Sequence, residues 1–294
     1  MGSPIGAFLR PPEFAGPQGM RALARETSAA LEAVRLVRRT REDRRRRAGL
    51  PYAGSHRRAA LDPVLLIPGF MAGDATLKLM AGFLRNEGFR TYRSQIHVNV
   101  GCTQQAVTRL ERRLESIALR RERKVRIVGH SLGGMLARGL AARRPDLVDG
   151  IVTLGSPVLA PGAVHTVLAW DTEMLIRLAR AGFRGLMSED CIAGSCAQTS
   201  FDDMRRPLDP SVSFTAIWSR RDGIVDPNAC RDPGAECIEV STSHCGMAVD
   251  PAVFDLVLQA LQRQEGALGP ETLGPDTLGP AAISPASLPE APTA

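Results

Sequence analysis

Short apolar runs alternate with segments of helical periodicity between residues 62 and 264. The run PVLLIP at 63–68 is continuously apolar, which is typical of a strand buried on both faces of a sheet. Further strands are predicted at 91–97, 124–129, 148–154, 211–219 and 236–241. Helices are predicted between them, at 76–88, 104–119, 135–144 and 251–263. This alternation predicts an α/β fold, with a mostly parallel sheet covered by helices on both faces.

The two ends of the chain fall outside this pattern. Residues 1–61 are expected to form a basic arm with an amphipathic helix, whose apolar positions are Met20, Leu23, Ala30, Leu31, Val34 and Val37. We expect the helix to dock on its own domain or to stay solvated, with contact to an anionic membrane as the alternative. The predicted chemistry does not require the arm. Residues 265–294 repeat Leu-Gly-Pro and predict a disordered tail, because so few large apolar residues cannot offset chain entropy.

Composition and charge narrow the functional classes. The 294 residues are 44% hydrophobic and 23% charged, which excludes a wholly disordered chain and a fibrous rod. No apolar run reaches the roughly 18 residues of a membrane-spanning helix, and no secretory signal is evident. We therefore expect a cytoplasmic protein, with membrane association at most. The net charge of +6 arises in residues 1–60, which hold 13 Arg and 5 acidic residues, so no specific nucleic-acid partner is expected for the body.

The segment KVRIVGHSLGGM at 124–135 combines a strand, a tight turn and the start of a helix. Within it, Gly129-x-Ser131-x-Gly133 is typical of a nucleophile elbow, in which the nucleophile occupies a strained turn. A side chain two residues away on either side would collide with the crossing backbone. Ser131 is thus predicted to be a nucleophile at the C-terminal edge of the sheet, where the helix N-terminus favours negative charge.

Together with three further segments, this motif resembles the α/β-hydrolase family, in particular its bacterial lipases and esterases. The segments are LLIPGF at 65–70, VTLGSP at 152–157, and the pair WSRRDGIV at 218–225 with STSHCG at 241–246. The resemblance covers about residues 62–264 and implies an α/β-hydrolase fold and a serine hydrolase that uses no cofactor. One departure is Pro68-Gly69, where the family often has His-Gly.

The order Ser131, Asp222, His244 is the family's order of nucleophile, acid and base. Ser131 needs a base within hydrogen-bond reach, and His244 lies in a loop between the last predicted strand and helix, where a base can reach it. His130, inside the elbow, is expected to pack instead. Asp222 is expected to orient His244, and Asp226 is the rival acid.

The oxyanion hole that the resemblance implies consists of backbone N–H groups. One donor would be Leu132, directly after the nucleophile. The other would be Phe70, directly after Pro68-Gly69, with Met71 as the fallback.

Residues 158–210 are too many for a simple connection. We expect a lid or cap over Ser131, or equally a helical insert packed permanently on the body. The amphipathic stretch 164–187 offers several side chains that could line an acyl-chain pocket: Leu168, Trp170, Met174, Leu175 and Leu178.

Six cysteines occur, without a C-x-x-C pair or a Cys/His cluster of zinc spacing, so no metal site is expected. The pairs Cys191/Cys196 and Cys230/Cys237 are close enough in sequence to bridge. Disulfides would imply an oxidising compartment, which conflicts with the missing signal. Both pairs stay open at this point, whereas Cys102 and Cys245 are expected to be reduced thiols.

The sequence therefore predicts a serine hydrolase that cleaves small-molecule carboxylic esters through an acyl-enzyme on Ser131. The alternative is a thioesterase, or an acyltransferase or cyclase of a biosynthetic pathway, which would use the same triad with a different second nucleophile. A third interpretation is a non-catalytic protein that binds membrane or nucleic acid through the arm. A fluorophosphonate probe that labels the nucleophile would exclude it.

Overall fold

The computed structural model describes residues 5–48 and 62–267 of the chain. These ranges include the whole predicted body and most of the predicted arm. The predicted disordered tail lies outside the described residues from 268 onward, and so does the stretch 49–61 at the end of the arm.

A six-stranded parallel sheet forms the centre of the described chain. Its strands are β1 (Pro63–Ile67), β2 (Arg90–Arg93), β3 (Val125–His130), β4 (Val148–Leu154), β5 (Ser213–Ser219) and β6 (Glu236–Val240). They lie in the order β2-β1-β3-β4-β5-β6, and every neighbouring pair is parallel. The predicted α/β class is confirmed. The strand order reverses direction between β1 and β3, and a crevice for ligands is expected where those two strands end.

Helices cover both faces of this sheet. They are α1 (Gly19–Glu26), α2 (Ala29–Ala48), α3 (Lys78–Asn86), α4 (Thr103–Arg121), α5 (Leu132–Arg143), α6 (Thr166–Arg180), α7 (Asp190–Ala193), α8 (Ser195–Arg205) and α9 (Pro251–Ala267). One core contains Leu114 and Leu140, where α4 and α5 pack on the sheet. The other contains Leu84 and Phe254, where α3 and α9 pack on the opposite face. The inner strands β1, β3, β4 and β5 are therefore buried on both sides, which explains their largely apolar sequences.

Strand β2 is shorter than the predicted 91–97. It ends at Arg93, because the next residues turn around the carboxylate of Asp74. That carboxylate accepts hydrogen bonds from the backbone N–H groups of Ser94 and Gln95 and from the Ser94 hydroxyl. The turn brings Asn99 alongside the loop that follows β1.

The N-terminal arm docks on the body through a face other than the predicted one. Ala22, Glu32 and Leu36 are buried, with Glu32 only 3% exposed. Four of the predicted apolar positions, Met20, Leu31, Val34 and Val37, are instead exposed. Arg39 also donates to Asp255 of α9 at 2.8 Å. The docked face is thus selected by charged hydrogen-bonding groups as well as by apolar side chains.

The insert between β4 and β5 contains α6, α7 and α8. Ile176 of α6 is buried, whereas Trp170 is 69% exposed, and Met174 and Leu178 are exposed on the same side. These three lie four residues apart on one face of α6, and none of them is among the residues that line the pocket beside Ser131. The function of the insert as a lid stays a prediction. Among the described residues, no helix is both long and apolar enough to span a membrane.

Candidate active site

Ser131 lies in a tight turn between β3 and α5. Its backbone has φ 53° and ψ −123°, a positive φ that residues other than glycine rarely adopt. The Ser131 N–H donates to the carbonyl of Leu154 in β4 (2.8 Å), and the Gly134 N–H donates to the Ser131 carbonyl (2.9 Å). The structure therefore contains the strained turn that the sequence predicts, at the C-terminal edge of the sheet.

The glycines on either side of this turn are required by sterics. A Cβ atom on Gly129 would lie 2.4 Å from the carbonyl oxygen of Gly133, and one on Gly133 would lie 2.1 Å from the carbonyl oxygen of Ile67. Both neighbours are backbone atoms in close-packed elements, so neither can move away cheaply. The G-x-S-x-G spacing is therefore a packing requirement among β1, β3 and α5.

His244 and Asp222 meet at the same edge. His244 Nδ1 donates to Asp222 Oδ2 at 2.6 Å, and both side chains are buried. Asp222 Oδ1 accepts from the N–H groups of Ile224 and Val225, each at 2.8 Å, so the carboxylate is held in one orientation. Because Nδ1 faces Asp222, Nε2 is the ring nitrogen left to exchange a proton with a nucleophile.

The rival acid has another role. Asp226 accepts from the N–H of Asn228, where it begins a short 3-10 turn, and from the N–H of Ala15 in the arm, each at 2.9 Å. It therefore anchors backbone and does not contact His244.

His130 connects the elbow to the loop that carries His244. The two rings lie 4.9 Å apart, centroid to centroid, and His130 Nε2 donates to the backbone carbonyl of His244 at 3.0 Å. His130 packs, as predicted, and in addition fixes the His244 backbone beside the residue that precedes Ser131.

The two buried histidines have opposite pKa shifts. Burial, with the nearby charge of His244, lowers the pKa of His130 to about 4. Burial also disfavours the charged form of His244, but the charge and hydrogen bond of Asp222, with the charge of Glu26, raise its pKa above the ordinary 6.5. His130 is therefore neutral near pH 7, while His244 can take up a proton from a hydroxyl group.

The loop after β1 places Phe70 at the same pocket as Ser131 and Leu132. The N–H of Met71, the fallback donor, is already used, since it donates to the carbonyl of Asn99 at 3.0 Å. The buried side chain of Asn99 donates in turn to the carbonyl of Pro68 at 2.9 Å. Asn99 thus holds the loop on both sides of Phe70. Sequence reasoning missed it, because no motif marks this position.

An apolar pocket of about 160 Å³ opens beside Ser131. The arm, the body and the insert all contribute to its lining, which includes Leu9, Met135, Leu168, Met187, Ile192 and Phe201. Of the pocket residues predicted from the insert, Leu168 is confirmed. An apolar cavity of this kind accepts an uncharged hydrocarbon group.

Gly155, at the end of β4, leaves room for the His–Asp pair. Its φ is +55°, and a Cβ atom there would lie 3.0 Å from His244 Nδ1 and 3.2 Å from Asp222 Oδ2. The glycine of the VTLGSP segment therefore has a steric function that the sequence did not reveal.

Comparison with known proteins supports this architecture. A family model described as alpha/beta hydrolase fold matches residues 118–200. The mature form of Bacillus licheniformis lipase BlEst2 superposes with a TM-score of 0.56 at 15% identity, over 72% of this chain and 96% of that chain. The metagenomic carboxyl esterase MGS0156 superposes with a TM-score of 0.54 at 13% identity, over 75% of this chain and 78% of that chain. No curated protein matches the sequence. The chain has the α/β-hydrolase fold.

Within this α/β-hydrolase fold, the arm contacts the loops that carry Asp222 and His244. Glu26 Oε1 accepts from the N–H groups of Gly223 (2.8 Å) and His244 (3.0 Å), and Oε2 accepts from the N–H of Cys245 (2.9 Å). Glu32 accepts from the N–H and the hydroxyl of Ser243 at 3.1 and 2.8 Å. Two arm carboxylates therefore hold the histidine loop, which the sequence analysis did not predict.

All six cysteines lie among the described residues, and all are free. The sulfurs of Cys191 and Cys196 lie 3.9 Å apart, and those of Cys230 and Cys237 each contact a backbone carbonyl. Neither pair left open by the sequence is bridged in this structure.

Proposed function

We propose that the protein hydrolyses carboxylic esters through an acyl-enzyme on Ser131. The observation that carries the proposal is the convergence, at one sheet edge, of a strained serine turn, a buried His244–Asp222 pair and an apolar pocket. A serine hydroxyl is a weak nucleophile and needs an adjacent base that is itself oriented by a third group. We assign these three roles to Ser131, His244 and Asp222.

In this mechanism Ser131 Oγ attacks the ester carbonyl while His244 Nε2 accepts the hydroxyl proton. Asp222 keeps Nδ1 protonated and stabilises the imidazolium that forms. His244 then returns the proton to the leaving alcohol. Water, activated by the same nitrogen, attacks the acyl-enzyme and releases the acid. His130 and Glu26 support the base from its backbone.

The oxyanion of each tetrahedral intermediate would be held by the backbone N–H groups of Leu132 and Phe70. Both residues line the pocket beside Ser131, and the N–H of Met71 is committed to Asn99. A positioned N–H donor of this kind contributes about 3 kcal/mol to transition-state stabilisation.

The pocket supports esters of short acyl chains as substrates. Its volume of about 160 Å³ is close to that of a dry engineered cavity, roughly 150 Å³, that binds benzene. Its walls near Ser131 are apolar, so an uncharged chain is favoured over a charged one.

The test combines labelling with turnover. A fluorophosphonate probe is expected to label the native chain and Ser200→Ala, a serine of the same pocket, but not Ser131→Ala. p-Nitrophenyl esters of increasing chain length should be hydrolysed, with kcat/KM highest for short chains. Absence of labelling in the native chain would refute the proposal. A preference for thioesters, or for alcohols over water as acceptors, would support a thioesterase or an acyltransferase.

We also propose that α2 contacts an anionic membrane surface through its exposed side. Leu31, Val34 and Val37 are exposed apolar side chains at helical spacing, and Arg38 follows Val34 by four residues. Apolar side chains flanked by arginine are typical of helices that lie in the headgroup region. This contact would place the enzyme at a lipid surface without a membrane span.

A further inference from the structure

Three cysteine sulfurs converge next to the active-site pocket. Cys102 caps the N-terminus of α4, Cys191 lies in α7 and Cys196 lies in α8. The sulfur of Cys196 is 3.4 Å from that of Cys102 and 3.9 Å from that of Cys191, and all three atoms lie within 4.8 Å of one another. Cys102 is distant in sequence from the other two, and the spacing of Cys191 and Cys196 is not that of a zinc motif. The sequence analysis therefore did not find the cluster.

The cluster lies in an apolar part of the fold. Cys191 is buried, Cys102 and Cys196 are partly buried, and several apolar side chains pack against them: Phe70, Leu175, Ile176, Met187 and Ile192. A cation bound here would displace the thiol protons, because cysteine binds metals as the thiolate.

The distances suit thiolates that share one ion. At a metal–sulfur distance of about 2.3 Å, tetrahedral or trigonal geometry puts the sulfurs about 3.8 to 4.0 Å apart. The observed separations of 3.4 and 3.9 Å, with all atoms within 4.8 Å, need only small side-chain shifts to match. Thiolate ligands select soft ions, above all Zn²⁺ and Cu⁺.

We propose that Cys102, Cys191 and Cys196 form a three-thiolate site for a thiophilic d¹⁰ cation, Zn²⁺ or Cu⁺. Each thiol releases its proton to solvent as the sulfur–metal bond forms, with no change of oxidation state. The hydroxyl of Ser188, 3.5 Å from the Cys191 sulfur, or a water molecule would complete a four-coordinate zinc.

A disulfide explains the cluster less well than an ion. A disulfide joins two sulfurs and leaves the third without a function, whereas here Cys196 lies at similar distances from both partners. An ion would also join the start of α4 to α7 and α8 beside Phe70 and Cys191, both of which line the pocket. The site would thus stabilise the insert against the body independently of the proposed ester hydrolysis.

The test uses the full chain, reduced and freed of metal. Zn²⁺ is titrated against a chromophoric chelator, and Cu⁺ is titrated anaerobically in a separate arm. We expect one ion per chain, and Cd²⁺ as a probe should give a thiolate charge-transfer band. Cys102→Ser, Cys191→Ser and Cys196→Ser should each weaken binding at least about 100-fold. The exposed Cys237→Ser should bind as the native chain does.

A second readout separates ligation from misfolding. Saturating metal should raise the Tm of the native chain and of Cys237→Ser, while leaving that of Cys102→Ser unchanged even if this variant is folded. Equal affinity in the native chain and Cys102→Ser would overturn the proposal. The proposal would also be overturned if the reduced native chain bound neither Zn²⁺ nor Cu⁺. A Cys102–Cys196 disulfide in the untreated protein would then explain why these two sulfurs lie close together. Ester hydrolysis by Cys237→Ser, measured in parallel, reports separately on the proposed function.

Discussion

The backbone N–H of His244 donates to the carboxylate of Glu26 at 3.0 Å, although the two residues are 218 positions apart. The same carboxylate accepts the N–H of Gly223, next to Asp222. One arm side chain therefore spans the loops of the proposed acid and base, and its charge also raises the pKa of His244. The contact links docking of the arm to the geometry and the basicity of the site.

The pH dependence of activity should follow His244. The base must be neutral to accept the Ser131 proton, and its pKa lies above the ordinary 6.5. Activity is thus expected to fall as the pH decreases through a value above 6.5. The measurement is kcat/KM for a p-nitrophenyl ester as a function of pH, which reports the free enzyme. An acidic limb centred below 6.5 would contradict the assignment.

Glu26→Gln should shift that acidic limb to lower pH. The substitution removes a negative charge that favours protonated His244, and it places an amide donor against backbone N–H groups. We also expect a loss of roughly tenfold in kcat at the optimum, since a charged hydrogen bond contributes about 1.5–3 kcal/mol. Glu42→Gln, at an exposed position of the same arm, is the control. A reduced kcat with an unshifted pH profile would mean that Glu26 acts on structure alone.

Asn99→Ala should reduce kcat about tenfold to a hundredfold and leave KM nearly unchanged. The side chain holds the Pro68 carbonyl, so its loss frees the loop that presents the Phe70 N–H to the oxyanion. Asn86→Ala, exposed at the end of α3, is the matched control. The measurement is kcat and KM of both variants from steady-state kinetics. An effect of Asn99→Ala confined to KM would mean that Asn99 acts in substrate binding and not on the oxyanion.

Gly133→Ala and Gly139→Ala lie in the same helix, α5, but should change the free energy of unfolding in opposite directions. A Cβ atom at position 133 would meet the Ile67 carbonyl at 2.1 Å, whereas none of the described atoms lies within 4 Å of one at position 139. We expect the first to destabilise by about 3 kcal/mol or more. The second should stabilise by about 0.5–1 kcal/mol, because alanine is the better helix former. Denaturant unfolding measures both, and equal stabilities would contradict the packing of the elbow.

The triple substitution Leu31→Ser, Val34→Ser, Val37→Ser should weaken binding to anionic vesicles at least about tenfold. The basis is the loss of three apolar side chains that would enter the headgroup region. Val98→Ser with Leu119→Ser, exposed apolar positions on the body, is the control. Cosedimentation at low and moderate salt gives the partition coefficients. If control and triple variant bind alike, α2 is not the contact surface.

Local features of the fold and the site could be predicted because a few neighbouring residues encode them. Continuous apolar runs and helical periodicity are sufficient to predict buried parallel strands with helices between them. The G-x-S-x-G spacing is itself a local pattern, so Ser131 and its glycines could be recognised before any contact was known, although the carbonyl that requires Gly133 belongs to Ile67 in β1. The end of β2 was mispredicted, since Asp74 turns the chain there from 20 residues away.

Contacts between distant segments were decided only by the tertiary structure. The sequence could not choose which face of the arm docks, because Glu26 and Glu32 find their backbone partners more than 190 residues away. The sequence also could not show that Asp222, and not Asp226, contacts His244. Nor could it predict that the sulfurs of Cys102 and Cys196 lie close together. Periodicity and local sterics are properties of neighbouring residues, whereas a hydrogen-bond partner across the fold exists only once the chain path is set. The sequence therefore identified the candidate nucleophile, Ser131, whereas the fold decided which groups hold the proposed base, His244.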